Sequence, residues 1–286
     1  MILIDWIYRK IEKKKRKSLL KRLEEINENN KIQTLKGINE LANFQIANPE
    51  TIPIIIINFN QLFYLKKLVS FLKQRNFKNI VIIDNCSTYQ PLLDYYDLVK
   101  KEVVIHLLSE NLGHLALWKK RDLYNQYCNG FYVVTDADIV PNDVLGSNFI
   151  GDLINLLFKY SDKNKIGLAL NINDIPDYYP LKSKVINWER KFWESEIEQN
   201  VFSADIDTTF ALYWPKFDRL SQYLYPSFFN GIRVAGDFTC KHGGWYLNPK
   251  KLTEEQKYYF ATANLSNSWK LNEQGDLIGD FINDYL

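Results

Sequence analysis

The chain has 286 residues, 46% of them hydrophobic and 24% charged, which is the balance of a folded globular protein and excludes disorder as its main theme. Its longest charge-free stretch worth testing as a span, residues 51–65, contains Pro53, Asn58, Asn60 and Gln61 and falls short of the roughly 20 apolar residues a bilayer requires. Three cysteines (Cys86, Cys128, Cys240) with no C-x-x-C spacing exclude a disulfide framework and a zinc knuckle, and fit a reducing, cytoplasmic compartment.

The formal net charge of +2 conceals an asymmetry. Residues 1–50 carry 11 Lys/Arg against 7 Asp/Glu, and nine of those bases lie between Arg9 and Arg22, behind the apolar cluster Ile2, Leu3, Ile4, Trp6 and Ile7. Leu19, Leu20, Leu23 and Ile26 at helical spacing, with no proline before Pro49, predict a basic helical extension over 1–50. Two readings stay open for it. One is contact with an anionic membrane surface, each basic residue adding about 1 kcal/mol; the other is a solvated extension that packs on its own domain or on a second copy. The charge follows the apolar run and no small-residue cleavage site appears, so a secretory signal is excluded.

Over residues 51–250 short β-branched runs alternate with longer mixed segments. Strands are predicted at 52–58, 80–84, 103–108 and 131–136, of the continuous apolar kind found where both sheet faces are covered. Between them, 62–74, 92–100 and 115–127 have the length and spacing of crossover helices. This alternation predicts an α/β domain, a mostly parallel central sheet flanked by helices, with right-handed crossovers. Beyond Asp138 the pattern is less regular: helix at 149–160, strand at 166–172, helix at 185–198, strand at 208–214, strand and loop over 233–247. A last helix at 253–263 opens the C-terminal segment 251–286, which ends as a polar tail.

Ligands of such sheets sit at the carboxyl ends of the strands. The first four strands end in Asn58-Phe59-Asn60, Asp84-Asn85-Cys86-Ser87-Thr88, Ser109-Glu110-Asn111-Leu112-Gly113-His114 and Asp136-Ala137-Asp138. No dinucleotide G-x-G-x-x-G and no P-loop is present. Two aspartates one residue apart beyond a buried strand can turn toward one hard cation bridging diphosphate oxygens, or can cap the following loop, with Asn142 as another cap.

Taken together, IPIIIINFN, IIDNCST, ENLGH, VVTDADI, DTTFALY and KHGGWY resemble a nucleotide-sugar-dependent glycosyltransferase of the GT-A fold, near the family 2-like bacterial enzymes, over residues 52 to about 250. The resemblance implies that Asn58 and Asp84 contact base and ribose, that Asn85 and Ser87 shape their loop, and that Asn111 and Gly113 form the loop before the helix leading to the metal strand. It implies Mn2+ or Mg2+ at Asp136 and Asp138, with His242 as a further metal or diphosphate contact, and a UDP- or GDP-linked sugar as donor. Asp207 is the first candidate for the base that deprotonates the acceptor hydroxyl, with Asp205 and Asp237 in reserve; a retaining reaction needs no such base, and both outcomes stay open. The implied acceptor is a saccharide or lipid-linked saccharide in surface-polysaccharide or lipo-oligosaccharide assembly. Trp245 and Tyr246 are candidates for stacking on a sugar, Arg233 and Lys241 for offsetting diphosphate charge, and His106 for a core position. The rivals are a non-catalytic carbohydrate- or nucleotide-binding protein of the same fold and a sugar-phosphate nucleotidyltransferase; the latter's glycine-rich loop after the first strand is replaced here by Asn58-Phe59-Asn60-Gln61-Leu62. No nucleic-acid-reading module is present.

Overall fold

The computed structural model describes residues 38–217 and 230–263. Of the basic helical extension expected over 1–50, residues 1–37 lie outside the described residues, as does the polar tail after 263. Helix α1 (Glu40–Ala47) begins at an Asn39 cap whose side chain accepts from Ala42 N–H. It is tied to the sheet by Gln45, whose buried amide both donates to Phe131 C=O and accepts from Phe131 N–H.

Strands β1 (Ile54–Asn58), β2 (Ile80–Asp84), β3 (Val104–Leu107) and β4 (Tyr132–Asp136) alternate with α2 (Phe63–Gln74), α3 (Gln90–Val99), α4 (Ala116–Lys119) and α5 (Arg121–Tyr127). After β5 (Ile139–Pro141) come α6 (Phe149–Lys159), β6 (Lys165–Leu170), α7 (Lys182–Arg190), β7 (Glu196–Glu198), β8 (Val201–Ser203), β9 (Ala211–Tyr213), β10 (Gly231–His242) and α8 (Glu254–Thr262). The strands form one sheet in the order β3-β2-β1-β4-β9-β6-β10-β8-β7, with β5 added against β10. Adjacent strands of the β3-β2-β1-β4 half are parallel, as are β6 and β10; β9, β8 and β5 run against their neighbours. The fold is therefore a Rossmann-like α/β architecture with a mostly parallel central sheet flanked by helices.

Alternation along the strands explains why helices cover both faces. Ile54, Ile56, Ile80, Ile82 and Val133 point into the larger core with Leu65, Leu68, Leu72 and Phe149 of α2 and α6. Ile55, Ile57, Val81, Ile83 and Val134 point the other way, against Trp118, Leu123 and Tyr127. Burying one such aliphatic side chain is worth about 1.5–3 kcal/mol, so both faces resist any slip of register by one residue.

Three expectations from the sequence need correction. The helix at 115–127 is a 3-10 turn and two short helices broken at Lys120, because the consecutive buried residues Ala116, Leu117 and Trp118 span too wide an arc for one helix face. The helix at 185–198 ends at Arg190, and a hairpin of β7 and β8 replaces its second half. Its turn holds Asn200 at φ 61°, a conformation asparagine tolerates better than most residues. The strand at 208–214 is the short β9, inserted antiparallel between β4 and β6, which interrupts the parallel run.

Candidate functional site

At the carboxyl ends of β1 and β2, Asn58 and Asp84 are paired in register and both are buried. Asp84 Oδ1 accepts from Ser87 N–H at 2.7 Å and Oδ2 from the Tyr96 hydroxyl at 2.6 Å. Asn58 Nδ2 donates to the same hydroxyl at 2.8 Å and to Gln61 C=O at 3.0 Å, while its Oδ1 is buried without a partner among the described residues. Burial, then the charge of Asp84, pushes the Tyr96 phenol well above its ordinary value and keeps it a donor. Asn85 joins this mouth to the next loop, with Nδ2 donating to Gly113 C=O at 3.1 Å and Oδ1 accepting from Leu112 N–H at 3.2 Å. Asn111 Oδ1 accepts from Gly113 N–H, and Gly113 sits at φ 70°, where a side chain would be strained.

Two further residues organise these loops. Asn60, at φ 50° and buried, donates its backbone N–H to Ser87 Oγ, and its Oδ1 accepts from Thr88 and Tyr89 N–H at the start of α3. From the far end of the chain, α8 lies over the same loops. Glu255 accepts from Leu62 and Phe63 N–H at the exposed first turn of α2, Tyr258 donates to Thr88, and Asn60 Nδ2 donates to Thr262 Oγ1.

The second mouth lies between β4 and β10. Ala137 N–H donates to Ile57 C=O, which sets the Asp136-Ala137-Asp138 turn beside the end of β1. Asp136 turns toward Thr208, whose hydroxyl donates to its Oδ2 at 2.6 Å. Asp138 turns toward the end of β10: its C=O accepts from Gly243 N–H at 2.7 Å and its Oδ2 from Gly244 N–H at 3.3 Å. His242 Nδ1 stands 3.4 Å from Asp138 Oδ2 and is buried without a hydrogen-bond partner among the described residues. The imidazole stacks on Trp245 with ring centroids 5.1 Å apart, and the Trp245 indole N–H is likewise buried and makes no hydrogen bond among the described residues. Tyr64, on the first turn of α2, packs against Gly243; burial, followed by the charge of Asp138, pushes its hydroxyl up to about 12.

The remaining expected residues are placed as follows. Asp207 is exposed and immediately precedes Thr208; its C=O accepts from Lys165 Nζ at 3.3 Å and from the Tyr213 hydroxyl at 3.4 Å. Asp237 is exposed on the irregular stretch of β10 between Val234 and Thr239, and makes no hydrogen bond or ion pair among the described residues. Arg233 is buried against Glu189 at 2.6 Å, donates to Asp205 C=O and lies over the Phe192 ring, so its charge is already matched inside the protein. Lys241 pairs with Asp174, which also accepts from the Tyr246 hydroxyl. His106 is half-buried on the outer strand β3, 2.7 Å from the Tyr127 hydroxyl.

Among the described residues no group of three or more His, Cys, Asp or Glu side chains is arranged to hold a metal. A cation delivered with a diphosphate takes only one or two protein ligands, phosphate oxygens supplying most of the rest. Asp138 Oδ2 and the unpartnered His242 Nδ1 fit that smaller set, and imidazole with carboxylate suits Mn2+. No helix among the described residues is long and apolar enough to cross a membrane.

No family model matches the chain, and no curated protein matches it either. Among solved structures, the mannosyltransferase PcManGT from Pyrobaculum calidifontis, in complex with GDP-Man and Mn2+, is similar at 9% sequence identity and a TM-score of 0.43. The match covers 73% of this chain and 59% of that one, so the chain spans less than two thirds of this neighbour's length.

Proposed function

We propose that the chain is a metal-dependent glycosyltransferase that moves a sugar from a UDP- or GDP-sugar to a saccharide or lipid-linked saccharide acceptor in bacterial surface-polysaccharide or lipo-oligosaccharide synthesis. The observation that carries this reading is two polar mouths on one sheet: the buried Asn58–Tyr96–Asp84 network, and Asp138 3.4 Å from a His242 nitrogen that makes no hydrogen bond among the described residues. In this reading residues 51–250 are the transferase domain, residues 1–50 its basic extension and residues 251–286 its C-terminal helix and tail. The protein is cytoplasmic and peripheral at the inner face of the cell membrane, held there by the basic residues of the extension.

The chemistry is divided among named side chains. Asn58, Asp84, Asn85 and Ser87 form the nucleoside end, and Asn111 and Gly113 shape the adjoining loop. Asp138 and His242, with Asp136 behind them, hold Mn2+ or Mg2+. A cation held there would supply positive charge to offset that of the departing diphosphate. Asp207 removes the acceptor proton in an inverting reaction, with Asp237 as the reserve. A second reading, a non-catalytic nucleotide- or carbohydrate-binding protein, draws on the closure of the Asp84 carboxylate by Ser87 and Tyr96.

Thermal stability in UDP, GDP, CDP and their sugar conjugates, with and without Mn2+, tests the proposal. A ligand at 100 times its Kd adds about 2.7 kcal/mol, a shift of several degrees. The expected result is a shift for one nucleotide that requires metal and disappears in Asp138→Ala, together with metal-dependent hydrolysis of the matching sugar conjugate. A shift without hydrolysis across the panel favours the binding protein, and no shift with any nucleotide overturns both readings.

A further inference from the structure

Tyr64 was not among the residues singled out in the sequence, and its place in the structure is unusual. An ideal Cβ built on Gly243 would lie 2.4 Å from Tyr64 Cε2, 2.5 Å from Cδ2 and 2.7 Å from Cζ. The ring therefore lies on bare backbone, in the turn whose Gly243 N–H is bonded to Asp138 C=O, and only glycine admits it there. Phe63 supports the ring from one side, edge-on at 5.0 Å. The residue is thus held at the junction of α2 with the Asp138–His242 turn. Its hydroxyl makes no hydrogen bond to any described residue, although Asp138, Tyr178 and Glu255 are close enough to act on it electrostatically.

We propose that Tyr64 is a donor-binding residue whose hydroxyl donates a hydrogen bond to a diphosphate oxygen of the nucleoside diphosphate held at Asp138 and His242. The inference rests on the glycosyltransferase reading and deepens it. A phenol O–H that no described residue engages, held over the turn that carries Asp138, is open to an incoming acceptor. Glu255 already receives Leu62 and Phe63 N–H, and Asp138 already receives Gly244 N–H. An incoming diphosphate brings several acceptor oxygens to this turn. A donor fixed by a rigid ring contact loses little conformational freedom when it engages them. The neighbouring side chains Lys66 and Lys67 lie over Tyr95 and Phe63, and Lys241 pairs with Asp174, so these ammonium groups are already engaged, while the phenol is a donor at the turn that no described residue engages.

The experiment is titration of UDP or GDP, whichever the wild type binds, and of the matching free nucleoside, in Mn2+, against wild type and Tyr64→Phe. The phenylalanine variant keeps the ring on Gly243 and removes the hydroxyl alone. The expected result is a roughly 10- to 100-fold weaker Kd for the diphosphate, the scale of one lost hydrogen bond to a charged group, with unchanged nucleoside affinity and unchanged ligand-free Tm. Tyr178→Phe, an exposed phenol nearby, is expected to bind as wild type does. Equal diphosphate affinity in wild type and Tyr64→Phe overturns the inference while leaving the transferase reading intact, and equal weakening of diphosphate and nucleoside overturns it as well, since that reports a structural effect. A wild type that binds no nucleoside diphosphate overturns the transferase reading and this inference with it.

Discussion

At the ends of β1 and β2, Asp84, Asn85, Ser87 and Asn60 are bonded to one another's loops, and Asn58 Oδ1 is the atom left over. Between β4 and β10, on the same sheet, His242 Nδ1 and Trp245 Nε1 are buried and make no hydrogen bond among the described residues. Leaving a buried polar group unmade costs about 1–3 kcal/mol, so the two mouths spend stability differently. In the first, most side-chain groups are bonded within the loops and one oxygen, Asn58 Oδ1, is left over among the described residues. In the second, two ring nitrogens are left over, which an incoming ligand would engage.

The sharpest test of this contrast is a pair of substitutions with opposite outcomes. Asp138→Ala is expected to reduce metal-dependent donor hydrolysis by roughly 100-fold or more, the scale of removing one preorganised electrostatic stabiliser. It should change ligand-free stability by less than about 1 kcal/mol, since its Oδ2 accepts a single bond of 3.3 Å from Gly244. Tyr96→Phe should do the reverse. It leaves Asp84 Oδ2 and Asn58 Nδ2 each short of a buried partner, and is expected to cost about 1–3 kcal/mol, read as a Tm several degrees lower. Equal loss of stability in both variants would dissolve the distinction between the mouths.

Smaller effects sharpen the boundaries. Glu255→Ala removes the carboxylate that caps the first turn of α2 and is expected to cost ~1 kcal/mol in chemical denaturation. It should also speed proteolysis near α8, in which no residue is fully buried. The smallest effect lies away from both mouths. Burial, against a weaker pull from Asp122, holds His106 below its ordinary value of 6.5, so the folded state binds this proton less readily than the unfolded one. Its contribution is fully present above about pH 6.5 and declines as the pH falls through the window beneath it. His106→Gln should flatten the fall of Tm between about pH 7 and pH 5 without altering nucleotide binding.

The β3-β2-β1-β4 half was legible because β1, β2 and β4 are runs of β-branched residues covered on both faces, although the outer strand β3 is partly exposed; β2 begins and ends at the residues expected, Ile80 and Asp84. The other half was less so. β5, β7, β8 and β9 are three residues each, too short for alternation to show, and only Asn200 offered a local turn signal. In the candidate site the Asp136-Ala137-Asp138 turn could be placed because it follows a buried strand. Tyr96, Thr208, Asn60, Glu255 and Tyr64 were missed. Tyr96, four residues after Leu92 on the buried face of α3, carried a weak periodic signal. Thr208 and Glu255 meet their partners across 72 and 193 residues, and no local pattern encodes such a meeting.

What the sequence determined by itself is the alternation of apolar strands and amphipathic helices, and with it the layered α/β sheet and the polar composition of each strand end. These are short-range properties, set by side-chain period and the need to bury both sheet faces. Only the tertiary structure decided that Asp136 turns to Thr208 while Asp138 turns to His242, and that Tyr64 rests on Gly243. It alone decided that Arg233 is consumed by Glu189. Those outcomes depend on which polar atoms reach each other once the chain has closed over distances of many residues, and hydrogen bonding, unlike apolar burial, is satisfied by one geometry and not by composition.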